Sequence, residues 1–306
     1  MFAKKHATLI SKKVPEAMKT IAVAHYKGGT GKTTLCLMMS QVLALVGYRV
    51  LAVDMDVHQN HLAQALGGAE REQPSLRNSK ASASDILDRI VRKNASPNLD
   101  VAALSTDWCD RGSADPFHLR KRFRFFNFAA AYDFVIIDTP PGMGRVQEIS
   151  MHAADEICIP TDLSDPSLSS LARILTVPNI SARWRIIPNE LKKNGTTPEE
   201  LMALRMRYPA KVASPALVYD EGFARCGEPG CFPFYKLVSR TTALLCCRLV
   251  ADLFALDSGK IELSVATSAR RQAISVANAV VFPEAQQLEN HDVRSRALEL
   301  GSVSAA

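Results

Sequence analysis

The run Lys27-Gly28-Gly29-Thr30-Gly31-Lys32-Thr33-Thr34 constrains this chain more than any other feature. It follows an apolar run, Ile21 to His25, and precedes a segment in which Leu35, Met39, Val42 and Val46 recur at helical spacing before Gly47. The run therefore sits at a strand-to-helix turn, the context that gives such a motif its meaning. There, glycines let the backbone wrap around phosphate oxygens, and the first amides of the helix aim their N–H groups at negative charge. Lys32 is placed to reach β- and γ-phosphates and the Thr33 hydroxyl to bind Mg²⁺, while Gly28, Gly29, Thr30, Gly31 and Thr34 complete the cradle. A glycine-rich turn before an ordinary helix would not need all of these residues in register.

The rest of the chain alternates in the same way. Arg49 to Val53, Leu99 to Leu104, Asp133 to Ile137, Glu156 to Ile159 and Trp184 to Ile187 read as further strands. Their apolar residues run continuously, as in parallel strands covered by helices on both faces. The expected fold is α/β, a mostly parallel doubly wound sheet in a single domain over residues 21–257. A basic tail, with five Lys against Glu16, precedes it over 1–20, and a Ser- and Ala-rich extension follows over 258–306. Gly67 to Ser84 reads as a loop and Ala269 to Val280 as one more helix. With 306 residues, 47% of them hydrophobic, the chain can bury a substantial core. Apolar runs stop short of the roughly 18 residues a membrane span needs, and the first 20 residues do not make a signal peptide. Seven scattered cysteines suit reduced thiols in a cytoplasm.

Three further signals surround the turn. A second lysine, Lys27, opens the loop. Phe134-Val135-Ile136-Ile137-Asp138-Thr139-Pro140-Pro141-Gly142 is an apolar strand ending in a carboxylate suited to the hydration shell of Mg²⁺. Asp54-Met55-Asp56 closes the second strand, at the end of an open sheet where ligands bind, although a carboxylate there can also cap the segment that follows. Together these motifs resemble the deviant Walker A P-loop ATPases of the ParA/MinD type, within the SIMIBI group of P-loop NTPases, and come nearest to the small Soj-like ParA partition ATPases. The resemblance covers roughly residues 20–257. It implies ATP and Mg²⁺ as ligands and a nucleotide-sandwich homodimer in which Lys27 crosses to the phosphates of the other subunit. Lys32 and Lys27 would act on the polyphosphate, Asp56 would position the attacking water, and Thr33, Asp138 and Asp54 would serve the metal. Asn189, at the end of a strand in Ile187-Pro188-Asn189, becomes a reader of the adenine edge or else a turn residue.

The chain departs from the family at Asp56-Val57-His58-Gln59-Asn60, where ParA proteins read D-P-Q-G-N. Asp56 is retained, but the loop after it differs. Cys226 and Cys231 are spaced by four residues and Cys246 and Cys247 are adjacent, neither being a usual cluster or zinc pattern. No Met-rich insertion for an apolar client appears, and the last residues lack the bulky apolar face of a membrane-surface helix. Only 26 residues precede Lys27, too few for an operator-binding helix-turn-helix domain. Between Ser181 and Arg248, eleven Lys plus Arg face six Asp plus Glu, which supplies +5 of the formal +6. Arg205, Arg207, Lys211, Arg225, Lys236, Arg240 and Arg248 are candidates for nonspecific DNA contact, or form an ordinary solvated face. In Arg120-Lys121-Arg122 with Arg124, the interleaved aromatics read as core, with Leu119, Phe123, Phe126 and Ala130 on one helical face. The resemblance thus implies a cytoplasmic, nucleoid-associated ATPase that works with a ParB-like partner to position plasmid, chromosome or other cargo. A MinD-like membrane-positioning ATPase and a nucleotide-binding adaptor with weak hydrolysis are the alternatives. No stable membrane association is expected.

Overall fold

In the computed structural model the described residues are 17–56, 59–67, 91–104, 115–191, 197–225 and 234–268. The chain divides into two units, Met1–Glu262 and Leu263–Ala306. Of the second, residues 263–268 are helical, and the expected helix over Ala269 to Val280 lies outside the described residues, as does the Gly67 to Ser84 loop beyond Gly67 itself.

The first unit is built on β1 (Lys19–Val23), β2 (Val50–Asp54), β3 (Val91–Ser96), β4 (Leu99–Ala103), β5 (Phe134–Asp138), β6 (Glu156–Thr161) and β7 (Arg183–Pro188). They form one sheet in the order β3-β4-β2-β5-β1-β6-β7. Every pairing is parallel except β3 with β4. The expected doubly wound sheet is therefore present, with all six expected strands in place. The seventh, β3, was not expected: Val-Arg-Lys-Asn-Ala-Ser has neither an apolar run nor a strict alternation. It is an antiparallel edge strand joined to β4 by a turn at Pro97 and Asn98, where Asn98 takes a left-handed φ of 64°.

Continuous apolar runs in β2 and β5 reflect burial on both faces, since every residue of both strands is buried. Helix α1 (Lys32–Leu45) runs beneath the loop and is itself buried nearly all round, from Leu35 through Ala44. It packs between the sheet and the long helix α9 (Arg240–Phe254). Further helices are α2 (His61–Ala65), α3 (His118–Phe125), α4 (Phe128–Ala131), α5 (Arg145–Ala153), α6 (Asp165–Ile174), α7 (Pro198–Arg207) and α8 (Glu221–Ala224). Gly47, with φ 98°, ends α1 where the sequence placed its C-terminal cap.

The aromatic segment departs from the expected single helical face. Leu119, Phe123 and Phe126 are buried, but the helix stops at Phe125, and Asn127 in a left-handed conformation restarts the chain as α4. That break leaves Ala130 exposed and brings Phe128 inward instead, stacked on Phe123 with ring centroids 5.0 Å apart. Asn tolerates the left-handed region that a continuing helix cannot use.

Candidate phosphate and metal site

Parallel register brings the chemistry to one edge. Val23 and Asp54 both pair with Asp138, so β1, β5 and β2 end side by side, and the chain leaves β1 directly into the glycine loop. This is the carboxyl end of an open α/β sheet, at the point where its strand order reverses. Gly31 is the N-cap of α1 with φ 81°, a conformation that disfavours any side chain, and a Cβ there would collide with the Asn189 side-chain amide. No side chain caps α1, and its first turn holds no acidic residue, so its opening amides and positive dipole end face the loop.

Lys32 is 7% exposed, and its ammonium folds back onto the carbonyl of Lys27 at 3.3 Å. Burial lowers its pKa, against the opposing pull of Asp138. The Thr33 hydroxyl donates to Asp138 Oδ2 at 2.7 Å. The other oxygen, Asp138 Oδ1, is buried and meets no hydrogen-bond partner among the described residues. Burial first, and then the neighbouring Asp54 carboxylate, push the Asp138 pKa up. A buried, unsatisfied carboxylate oxygen beside a threonine hydroxyl and a lysine is costly without a cation, and this donor set of hard oxygens suits Mg²⁺. The residues present therefore fit the metal that the loop implies.

Asp54 is placed differently. Its side chain is fully buried, and its two oxygens accept the N–H groups of Asp56 and Ala63, each at 3.0 Å. It organises the segment that carries Asp56 into α2, which is the capping role open to such a carboxylate. Burial also raises its pKa. Asp56, two residues on, is half-buried. Val57 and His58, where the sequence departs from the family, lie outside the described residues.

Asn189 is 5% exposed and donates from Nδ2 to the carbonyl of Thr30 at 2.9 Å, bracing the loop. Beside it opens a cleft of about 450 Å³ lined by Thr33, Thr34, His61, Glu190, Tyr219, Asp220, Phe223 and Ala224. Tyr219 and Phe223, which the sequence did not single out, bring aromatic surface next to the phosphate loop.

Lys27 is 31% exposed along its side chain, and its ammonium is held by Asp162 Oδ2 at 2.7 Å and Ser164 Oγ at 3.1 Å. Burial alone would raise the Asp162 pKa, but the hydrogen bonds from Lys27 and Ser164 outweigh it and bring it down to about 2. Gln147, also unforeseen, donates to the carbonyls of His25 and Pro140 at 3.1 and 3.3 Å and so ties the loop after β5 to the start of the glycine loop.

The basic candidates are all exposed: Arg205 and Arg207 in the last turn of α7, Lys211, Arg225, Lys236, and Arg240 and Arg248 on α9. Arg248 is paired to Glu262 at 2.9 Å. Cys36, Cys158, Cys246 and Cys247 are buried thiols outside any disulfide, and no cluster of metal-ligating side chains of three or more occurs among the described residues. Cys109, Cys226 and Cys231 lie outside them. No helix of the described residues is long and apolar enough to cross a membrane.

A family model described as an AAA domain (AAA_31) matches residues 18–186, more than half of the chain. A ParA family protein of Chlamydia trachomatis is 34% identical over 178 residues, covering 54% of this chain and 68% of that protein. The maintenance of carboxysome distribution protein A of Synechococcus elongatus is 32% identical over 163 residues, covering 52% of this chain and 64% of that protein. The chain thus spans slightly under two thirds of the length of this second relative. Among solved structures, a Cyanothece McdA variant in complex with ATP superposes with a TM-score of 0.65 at 20% identity, covering 78% of this chain and 97% of the other, a likeness of fold. The chain belongs to the ParA/MinD-type P-loop ATPases.

Proposed function

We propose that the protein is a ParA-like ATPase whose ATP-bound homodimer binds DNA nonspecifically and hydrolyses ATP to position cargo with a ParB-like partner. The observation that carries this reading is the assembly at one sheet edge of Lys32, the Thr33–Asp138 pair with its unsatisfied Oδ1, and the open N-terminus of α1. Gly28 to Gly31 and the first amides of α1 hold the phosphates, with Lys32 turning from the Lys27 carbonyl to the β- and γ-oxygens. Thr33 and Asp138 hold Mg²⁺, which when bound neutralises the charge developing on the phosphates. Asp54 fixes the backbone leading to Asp56, and Asp56 orients the water. The cleft bounded by Tyr219, Phe223 and Asp220 takes the base, with Asn189 holding the loop beside it. Lys27 crosses to the partner's nucleotide, so dimerisation follows occupancy by ATP. The exposed bases of α7 to α9 then act together on DNA phosphates, and the work is done in the cytoplasm on the nucleoid.

The test is sedimentation of the full chain with duplex DNA of unrelated sequences, with ATP, with ADP and without nucleotide, beside a parallel run with anionic liposomes. ATP-dependent, sequence-independent association with DNA is expected. Association with liposomes alone would replace this reading with the membrane-positioning one.

A further inference from the structure

Lys27 is held at both ends, its ammonium by the turn from β6 into α6 and its backbone N–H by His25. Its ammonium meets Asp162 and Ser164. Its backbone N–H donates to His25 Nδ1 at 3.1 Å, and the other ring nitrogen, Nε2, faces Ser167 Oγ at 3.4 Å. Ser167 Oγ lies 3.0 Å from Thr161 Oγ1, which accepts the N–H of Leu163 at 3.3 Å. The side-chain partners of the Lys27 ammonium thus belong to residues 161–167, the turn from β6 into α6, and the imidazole on its N–H meets the same turn through Ser167. His25 and Ser167 are fully buried. Because Nδ1 accepts, the neutral ring must carry its proton on Nε2, so the chain of bonds runs in one direction, from the Lys27 N–H through the ring to Ser167 and Thr161. Burial, reinforced by Lys32, lowers the His25 pKa to about 4, so the ring stays neutral at physiological pH.

Within the gripping turn, Leu163 is held at φ 60°. A branched apolar residue in the left-handed region is strained, and such strain persists only where surrounding contacts enforce it. The contacts here are the Thr161 hydroxyl on the Leu163 N–H and the pairs Asp162 makes with Lys27 and Ser164. Release of Lys27 would remove part of that enforcement.

We propose that His25 is a positioning residue that ties the 161–167 turn to the phosphate loop and so holds Lys27 within its own subunit until dimer formation draws the ammonium away. The inference rests on the sandwich-dimer reading and adds the element that opposes it: the same turn must let go of Lys27 before the lysine can cross. The cost of release is then set by the buried imidazole relay as well as by the half-buried ion pair.

The test compares dimerisation with nucleotide affinity in the full chain, using a non-hydrolysable ATP analogue. Ser167→Ala removes the partner of Nε2, and His25→Asn keeps an acceptor for the Lys27 N–H but cannot reach Ser167. Both should dimerise at about fivefold lower protein concentration in sedimentation, the effect of one net hydrogen bond, with analogue affinity of the monomer unchanged. Asp162→Asn should shift the midpoint in the same direction, and combining it with Ser167→Ala should give less than the sum, because both act on one turn. Wild-type midpoints for Ser167→Ala and His25→Asn beside a shifted Asp162→Asn would overturn the relay and leave the ion pair alone as the hold. Loss of analogue affinity without a change in dimerisation would overturn it too, by making His25 merely structural. If His25→Asn does not fold, Ser167→Ala decides. Lys27→Ala separates the two levels: if it still dimerises with the analogue, the sandwich reading itself fails, whereas its failure to dimerise beside unshifted Ser167→Ala removes only the relay.

Discussion

Lys32 is 7% exposed and sits among a carbonyl, a carboxylate and the end of a helix, whereas Arg205, Arg207 and Lys211 stand in solvent at and just beyond the end of α7. Both regions are cationic, and both are proposed to meet phosphate. They differ in how much of the molecule fixes each charge. At the loop, strand register, a left-handed glycine and a buried carboxylate leave one arrangement. On the basic face, long side chains keep their rotamers, and any one of them can be lost while the others still meet a polyanion. A single substitution should therefore act as a switch in the first region and as a graded change in the second.

The sharpest break within the first region is between Asp56 and Asp54. Asp56→Ala should lower the hydrolysis rate by about 10²- to 10⁴-fold, the scale for a group that handles a proton or orients water, with MgATP affinity retained. Asp54→Ala removes the acceptor for the Asp56 and Ala63 N–H groups and should lose thermal stability along with turnover. Phosphate release at single-turnover excess of enzyme, beside thermal unfolding of both variants, checks this. If the two behave alike in both assays, Asp56 acts through the fold and not on water.

Lys32→Ala comes next. If its ammonium turns to the β- and γ-phosphates as proposed, its removal should weaken ATP binding about a hundredfold, at the strong end of charge-assisted hydrogen bonds. Calorimetry reads it directly. Retained affinity would mean that the loop amides hold the phosphates without the lysine.

What could be read in advance follows the same division. The strands of the sheet and the glycine loop were legible because each depends on local pattern, a continuous apolar run and a left-handed turn, whereas the contact of Thr33 with Asp138 spans 105 residues and was not. β3 was not, because Val91–Ser96 is a polar edge strand held by pairing to β4, and pairing leaves no periodicity in the strand itself. The hold on Lys27 was equally hidden. Asp162 and Ser164 lie 135 and 137 residues away, and only the parallel neighbouring of β1 and β6 brings them together. His25 looked like the last residue of a strand, and its second role depends on a hydroxyl 142 residues on. Asp54 shows the limit from the other side, since its contacts with the N–H groups of Asp56 and Ala63 could not be placed from the motif alone.

A smaller effect isolates the unsatisfied carboxylate. Burial makes the Asp138 carboxyl bind its proton more tightly in the folded than in the unfolded chain. Such a group contributes stability below the unfolded carboxylate range near about pH 4 and loses it as pH rises toward its raised native value. Without nucleotide and Mg²⁺, the wild type should therefore lose stability between acid and neutral pH at this site. Asp138→Asn should remove that part of the slope and stand about 1–2 kcal/mol above wild type at pH 8, while binding MgATP worse. Denaturant unfolding across the pH range measures the difference, and parallel curves for the two proteins would place the proton elsewhere.

The smallest effects belong to the basic face, and there the contrast lies between arginines. Arg205 and Arg207 are exposed in the last turn of α7, while Arg248 already has a carboxylate from Glu262 at 2.9 Å. If DNA affinity comes from phosphate neutralisation, each contact removed should reduce the slope of log affinity against log salt by about 1, without regard to sequence. Arg205→Ala with Arg207→Ala should thus reduce the slope by about 2 if both touch phosphate. Arg248→Ala should do less, because its charge is already offset by Glu262, although exposed pairs of this kind are worth only about 0–1 kcal/mol and DNA can compete for the arginine. Glu262→Ala sharpens the comparison: freeing Arg248 should strengthen DNA binding at low salt and steepen the salt dependence. Titrations of the ATP-bound protein at several salt concentrations distinguish these cases. Equal losses from Arg248 and from the α7 pair would mean that the face acts as a diffuse field with no distinct contacts, whereas an unchanged slope for the α7 pair beside a reduced one for Arg248→Ala would move DNA binding off α7 to α9.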